Sequence, residues 1–237
     1  MSIYVNRITK VGQRLPPLLS SSSPSLNLNC LNFFPNNVYL GVTPPNGGLL
    51  NIPLYQVTPY YLHNDEGHIF ENIWQGSKLY EFVAQQTEIK ADKVIWHYPT
   101  ETHVVNGKVL PAYWEWRRKL YNNKYAVRYP NGYYGRHKCL GAIWNDNGKW
   151  ELLPYIAARK KIYCKVYAEL VQRTEAFTML KSLYNQGVNL QICEMDVRPS
   201  PITKDVLRTE LYNQTDPFGH GYVLAACLLD ATDLFDE

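Results

Sequence analysis

Residues 70–78, FENIWQGSK, set Glu71, Gln75 and Lys78 four and seven positions apart, so a helix through them aligns the three as one polar stripe, with Trp74 beside it and Phe82 below. The opposite face carries Ile69, Ile73, Tyr80 and Val83, enough to meet a core. A solvated helix face would show interchangeable charges and few large aromatics, so the stripe reads as the wall of a pocket. The expected helix spans residues 69–86 and is entered through HNDEG at 63–67, a set of turn and capping residues. Glu71 then falls in the first turn, where the helix dipole alone favours a carboxylate by roughly 0.3–1 kcal/mol. That preference accounts for Glu71 but not for Gln75 and Lys78 in line with it.

Upstream, Ile3, Tyr4 and Val5 form a short β-prone piece, followed by Pro16 and Pro17 and a serine-rich run over 20–25 with too little apolar material to fold alone. Residues 1–30 are expected to be an arm or linker. Between 38 and 62, strand-like runs flank a breaker cluster at 44–48, PPNGG. Downstream, residues 93–96 are strand-like and 112–120 suit a short helix. Two turn signals, at 130–132 and 146–148, read as hairpins. The first interleaves Tyr125, Arg128, Tyr129, Tyr133, Tyr134, Gly135, Arg136, His137 and Lys138, a pattern that suits either a nucleotide site or a solvated hairpin.

Residues 155–173 are expected to be helical, with Tyr155, Ile162, Val166 and Leu170 as the apolar stripe and Arg159 inside it. Such an arginine either snorkels to solvent and a carboxylate or binds phosphate. A further helix over 174–186 is closed by Gly187. In the alternation of 188–196, Glu194 shares a face with Val188, Leu190 and Ile192, where a carboxylate must be paired or used. Residues 198–217 read as a long loop. Gly219 and Gly221 then open a last helix at about 222–229, and glycines there let a phosphate approach backbone N–H groups.

A length of 237 residues, 46% of them hydrophobic, allows a sizeable core, and a net charge of +3 is small for a dedicated duplex-DNA binder. Nineteen tyrosines suit stacking ligands or half-buried sheet positions equally well. Cys30, Cys139, Cys164, Cys193 and Cys227 form no CxxC pair and read as free, buried thiols in a reducing cytoplasm. Arg7, Lys10 and Arg14 interrupt the apolar stretch a signal peptide needs, and no segment has the length of a membrane span. His68, His97, His103, His137 and His220 are scattered, so no metal centre is expected, and the GxSxG, Walker A and GxGxxG motifs are missing.

In its residues and their order the chain resembles the NADAR superfamily, whose members include riboflavin-intermediate N-glycosidases and enzymes acting on ADP-ribosyl conjugates. The family signature is a helical Glu, a Gln four residues on and a Lys seven residues on, after an upstream Asn; here these are Glu71, Gln75, Lys78 and Asn51. Then follow a Gly-Arg pair (Gly135 and Arg136), a tryptophan before a long helix (Trp150), the helix with Arg159, a strand ending in a carboxylate (Glu194) and a glycine-rich helix entry (Gly219, Gly221). The similarity spans residues 38–230, with Gly76 and Ser77 in place of the family's alanine-rich stretch.

The resemblance implies an α+β fold: a single domain over 31–237 with a mainly helical NADAR-like core, a small sheet and hairpin insertions. It further implies hydrolysis of the N-glycosidic bond between an ADP-ribosyl or phosphoribosyl ribose and a base-like amine. In that reading Glu71 is the catalytic carboxylate, Lys78 and Arg159 hold phosphates or keep Glu71 ionised, Gln75 orients a ribose hydroxyl, and Trp74 or Tyr134 stacks on the base. Glu194 is a second acid/base group or the ion-pair partner of Arg159. Asn51, Arg128, Arg136, Trp150, Gly219 and Gly221 complete the substrate-binding set, without metal or cofactor. The expected partner is a nucleotide-like small molecule or an ADP-ribosylated substrate; nucleic acid stays open and a membrane does not. The alternatives are a non-catalytic module binding ADP-ribose, or a modified nucleotide in a nucleic acid, through the hairpin at 125–138 and the cluster Arg117, Arg118 and Lys119, and a protein-interaction module.

Overall fold

A computed structural model describes residues 1–8, 25–29, 40–42, 50–90, 93–131, 134–146 and 148–236. The serine run at 20–24, Cys30, the breaker cluster at 44–48, Gly132, Tyr133 and Asn147 lie outside the described residues. The chain runs through β1 (Ile3–Arg7), β2 (Ser25–Asn29), β3 (Leu40–Val42), β4 (Leu50–Ile52), α1 (Phe70–Ser77), β5 (Lys78–Tyr80), β6 (Phe82–Lys90), β7 (Lys93–Thr102), β8 (Val104–Val105), β9 (Lys108–Val109) and α2 (Pro111–Tyr121). It continues with β10 (Cys139–Asp146), β11 (Lys149–Leu153), α3 (Tyr155–Ala158), α4 (Lys165–Val171), α5 (Glu175–Asn185), β12 (Asn189–Glu194), β13 (Ser200–Ile202), α6 (Lys204–Tyr212) and α7 (His220–Leu228). This is an α+β fold. It divides into two compact units, Met1–Leu62 with Arg159–Glu237, and His63–Ala158. Among the described residues no helix is long and apolar enough to cross a membrane.

In the discontinuous unit the sheet order is β13-β1-β12-β2. β12 runs parallel to both β1 and β2, and β13 runs antiparallel to β1. Every residue of β12 is buried, so the expected alternation becomes burial on two faces, as in parallel sheets covered by helices. α7 is buried along its whole length, packs on β12 and β1, and meets α4, α5 and α6. The first residues are therefore more than an arm: Ile3, Val5 and Ile8 are core residues, and β1 is an interior strand.

Two further expectations change in this unit. The helix expected over 155–173 is broken, because residues Arg159–Cys164 wind as a π-helix between α3 and α4. The π turn rotates the buried face: Ile162, Tyr167 and Leu170 are buried, while Tyr155 is 46% exposed. The loop expected over 198–217 contains β13 and α6. Thr203 caps α6 by accepting from the Val206 N–H, Asp205 occupies its first turn, and Leu207 and Leu211 bury one stripe. The helix expected over 174–186 is α5: Thr174 caps its start, and Gly187, at φ +91°, follows its end. Burial raises the pKa of the Cys164, Cys193 and Cys227 thiols, Cys193 to about 11 and Cys227 to about 12.

In the contiguous unit, α1 packs on α2 and β10, and a core of Leu79, Tyr80, Val83, Tyr113, Trp116, Leu120, Val127 and Ile143 lies among these elements. α1 is shorter than the residues 69–86 expected for it. Ser77 Oγ donates back to the Ile73 carbonyl, Lys78 turns to extended backbone (ψ 135°), and pairing with β10 draws 78–80 into a strand. The remainder of that expected helix is the start of β6, paired with β7. The hairpin expected at 146–148 is present, joining β10 to β11. The one expected at 130–132 lies partly outside the described residues; among those described, 122–131 contain no strand, 134–138 form a 3₁₀ turn, and Tyr129 sits in the left-handed region at φ +57°. There the loop answers to side-chain anchors rather than to a cross-strand ladder.

Candidate functional site

α1 is buried on every side, and the stripe it carries is held together by its own side chains. Asn64 Oδ1 accepts from the N–H groups of Glu66 and His68, shaping the turn that enters the helix. Gln75 Nε2 donates to Glu71 Oε1 at 2.8 Å, and Lys78 Nζ donates to Gln75 Oε1 at 2.9 Å. Only this amide orientation lets Gln75 serve a carboxylate and an ammonium together. Lys78 keeps its place in the chain of contacts although the helix ends one residue before it, because its side chain folds back with Nζ 4.7 Å from the Trp74 ring centroid.

Glu71 is 5% exposed, and its other oxygen has no hydrogen-bond partner among the described residues. Its direct hydrogen bond is from one neutral donor, with the Lys78 charge beyond it. Desolvation lowers the Lys78 pKa below the usual lysine value; Glu71 opposes that shift and the nearby Arg128 charge adds to it.

The cationic loop reaches this region through Asn72, which sequence reasoning passed over. Its Nδ2 donates to the carbonyls of Asn123 and Tyr125, and its Oδ1 accepts from the Val127 N–H at 2.7 Å. Both its N–H groups and its carbonyl oxygen go into fixing residues 123–127. Beside that anchor, Lys124 lies over the Tyr125 ring and Arg128 over the Tyr129 ring. Arg136 falls in a 3₁₀ turn, Tyr134–Lys138; the side chain of Tyr134 lies outside what is described. Trp150 stands 49% exposed on β11, with its ring centroid 4.7 Å from that of Trp114.

A second network backs α1. Arg117 Nη2 donates to the Tyr121 hydroxyl at 2.7 Å, Tyr121 meets Ser77 Oγ at 3.0 Å, and Ser77 donates to Ile73. Since each hydroxyl has one proton, the direction runs from Arg117 through Tyr121 and Ser77 to the helix carbonyl. Tyr121 also explains Gly76, where a Cβ would lie 2.7 Å from its ring.

In the other unit Glu194 ends β12 fully buried. Its Oε1 accepts from the Asp196 N–H at 2.8 Å; its Oε2 accepts from the Gly221 N–H at 2.7 Å and lies 3.0 Å from His220 Nδ1. Burial pushes its pKa up, and His220 with the two backbone donors outweighs this and holds it below the ordinary value. The glycines expected to admit a phosphate instead admit this carboxylate: a side chain on Gly219 would strike it. The ion-pair partner expected for Glu194 was Arg159; the residue found there is His220.

Arg159, 2% exposed, gives its guanidinium to the carbonyls of Glu210, Leu211, Asn213 and Asp216 at 2.7–3.2 Å, closing the C-terminus of α6. Those bonds take up the donors that a phosphate would need. Asn51 is the middle residue of β4, with its side chain outside what is described. Glu71, Gln75, Lys78, Trp74 and Arg128 thus belong to one unit, and Glu194, Arg159, Gly219 and Gly221 to the other.

Comparison with family models, curated proteins and solved structures gives no match to this chain.

Proposed function

We propose that this protein is an N-glycosidase of NADAR type, hydrolysing the bond between the ribose of an ADP-ribosyl or phosphoribosyl group and a base-like amine. The observation that carries this reading is the buried Glu71 carboxylate, with one oxygen tethered by Gln75 and the other left unengaged among the described residues. As the C1′–N bond breaks, positive charge develops on the sugar, and a fixed carboxylate in a poorly solvated place stabilises it. Glu71 also takes a proton from the attacking water, whose oxygen bonds to C1′.

Lys78, acidified by burial, delivers a proton to the departing nitrogen, and the proton on Glu71 restores it through solvent. Gln75 keeps the two charges in register, and Trp74 offers a ring to the base. Glu194 and Arg159 are assigned to positioning their own unit, since their polar atoms are engaged in building it.

Glu71→Gln keeps the shape of the side chain and removes its charge. Base release from ADP-ribosyl or phosphoribosyl substrates, followed by chromatography, should fall about 100-fold or more; turnover equal to the parent protein rejects the assignment. A binding module without turnover is the second reading, favoured by the cation–ring pairs Lys124–Tyr125 and Arg128–Tyr129. It predicts that ADP-ribose raises the melting temperature while no base is released.

A further inference from the structure

Two tryptophans of the contiguous unit are placed where a buried core cannot use them. Trp114 on α2 is 36% exposed and Trp150 on β11 is 49% exposed, their rings meeting edge to face at 4.7 Å and 65°. Beneath them lies Arg117, only 7% exposed, with its guanidinium 4.9 Å from the Trp150 centroid and 5.9 Å from that of Trp114. That cation is itself immobilised by the Ile143 carbonyl at 2.8 Å and the Tyr121 hydroxyl at 2.7 Å. Arg117 holds the pair from one side and the Tyr113 ring, 5.0 Å from Trp114, adds a further contact, while both tryptophans keep part of their surface exposed. A rigid exposed aromatic pair loses little side-chain freedom when a flat ligand stacks on it.

The segment carrying this pair is rich in cations, although Glu115 and Glu151 each follow one of the two tryptophans. Residues 108–149 hold nine lysines and arginines against Glu115 and Asp146, whereas the whole chain balances 24 against 21. Arg118 lies one helical turn beyond Trp114 on the exposed side of α2, and Lys119 and Lys124 are also exposed. Lys149 is turned to Glu151, 3.1 Å away, and does not count toward the field.

We infer that the Trp114–Trp150 face binds single-stranded nucleic acid, stacking bases on the two indoles and neutralising phosphates with Arg118 and Lys119. Fixed rings beside exposed cations are the two ingredients of sequence-tolerant strand binding. A duplex would hide its bases from the rings. Neither Glu71, Gln75 nor Lys78 is among the residues this face uses, so it stands whether or not the chain is a glycosidase.

The test is fluorescence anisotropy with labelled 12-nucleotide oligo-U and oligo-dT over a salt series, with intrinsic tryptophan emission read in parallel. Binding should quench the emission and weaken steeply with salt. Trp150→Ala should reduce affinity about 5- to 100-fold. Arg118→Gln should lower the salt slope by about 0.7. Both residues are exposed, so unchanged melting temperatures confirm that the variants are folded, and Glu71→Gln should bind as the parent does. No oligonucleotide binding, equal affinity in the folded Trp150→Ala protein, or heparin binding as tightly with no quenching overturns the proposal; the last would leave a general polyanion patch.

Discussion

His103 is a histidine sealed into an aromatic core. It is 0% exposed, packed against the rings of Tyr113 and Trp116, and neither ring nitrogen has a hydrogen-bond partner; Glu101 Oε2 stands 3.7 Å from Nε2. Burial lowers its pKa from 6.5 to about 4. Between those values the unfolded chain binds more protons than the folded one, so stability rises with pH through the window and is fully present above about 6.5. The folded unit should lose on the order of 2–3 kcal/mol between pH 6.5 and pH 4 through this residue alone. Urea denaturation at pH 7, 5.5 and 4.5 would show it, with His103→Phe flattening the profile; identical pH profiles for parent and variant would refute the account. Nothing in the sequence around residue 103 announces this, since burial of a histidine depends on what folds over it. The Glu71, Gln75 and Lys78 row was readable because one helical turn suffices to align it. Asn72 was not, since its partners lie 51 to 55 residues away.

α1 shows how an element can be read correctly in kind and wrongly in length. The turn entering it, its polar row and its apolar residues are all local signals, whereas its end at Ser77 follows from β5 pairing with β10 some 60 residues later, as Ala142 opposite Lys78 records. The same locality explains α6, whose cap and apolar pair were present in the sequence but were outweighed by the turn formers on either side. Gly76 tests the packing of α1 on α2. Gly76→Ala would ordinarily favour a helix by roughly 0.5–1 kcal/mol. Here the added methyl meets the Tyr121 ring at 2.7 Å, so the variant should be destabilised by about 1–3 kcal/mol, seen as a lower melting temperature. A rise in stability would mean that Tyr121 is free to move aside, and with it the Arg117 network.

Across the whole chain, the least readable feature was the role of its first residues. Ile3, Tyr4 and Val5 looked β-prone, yet their neighbours in the sheet come from residues 190–192 and 200–202, so no nearby signal separated a strand from an arm. A chain lacking residues 1–8 should therefore lose the β13-β1-β12-β2 sheet. Circular dichroism and limited proteolysis of residues 159–237 would detect the loss, and a melt matching the parent would show that β1 is dispensable. The long reach of this pairing bears on how the protein is made. At about 5–20 residues per second, the partner of Ile3 is synthesised roughly 10–40 s after Ile3 itself. Residue 158 precedes residue 190 by about 2–6 s at that rate, so the inserted unit, residues 63–158, can begin to mature on the ribosome while β1 is still unpaired.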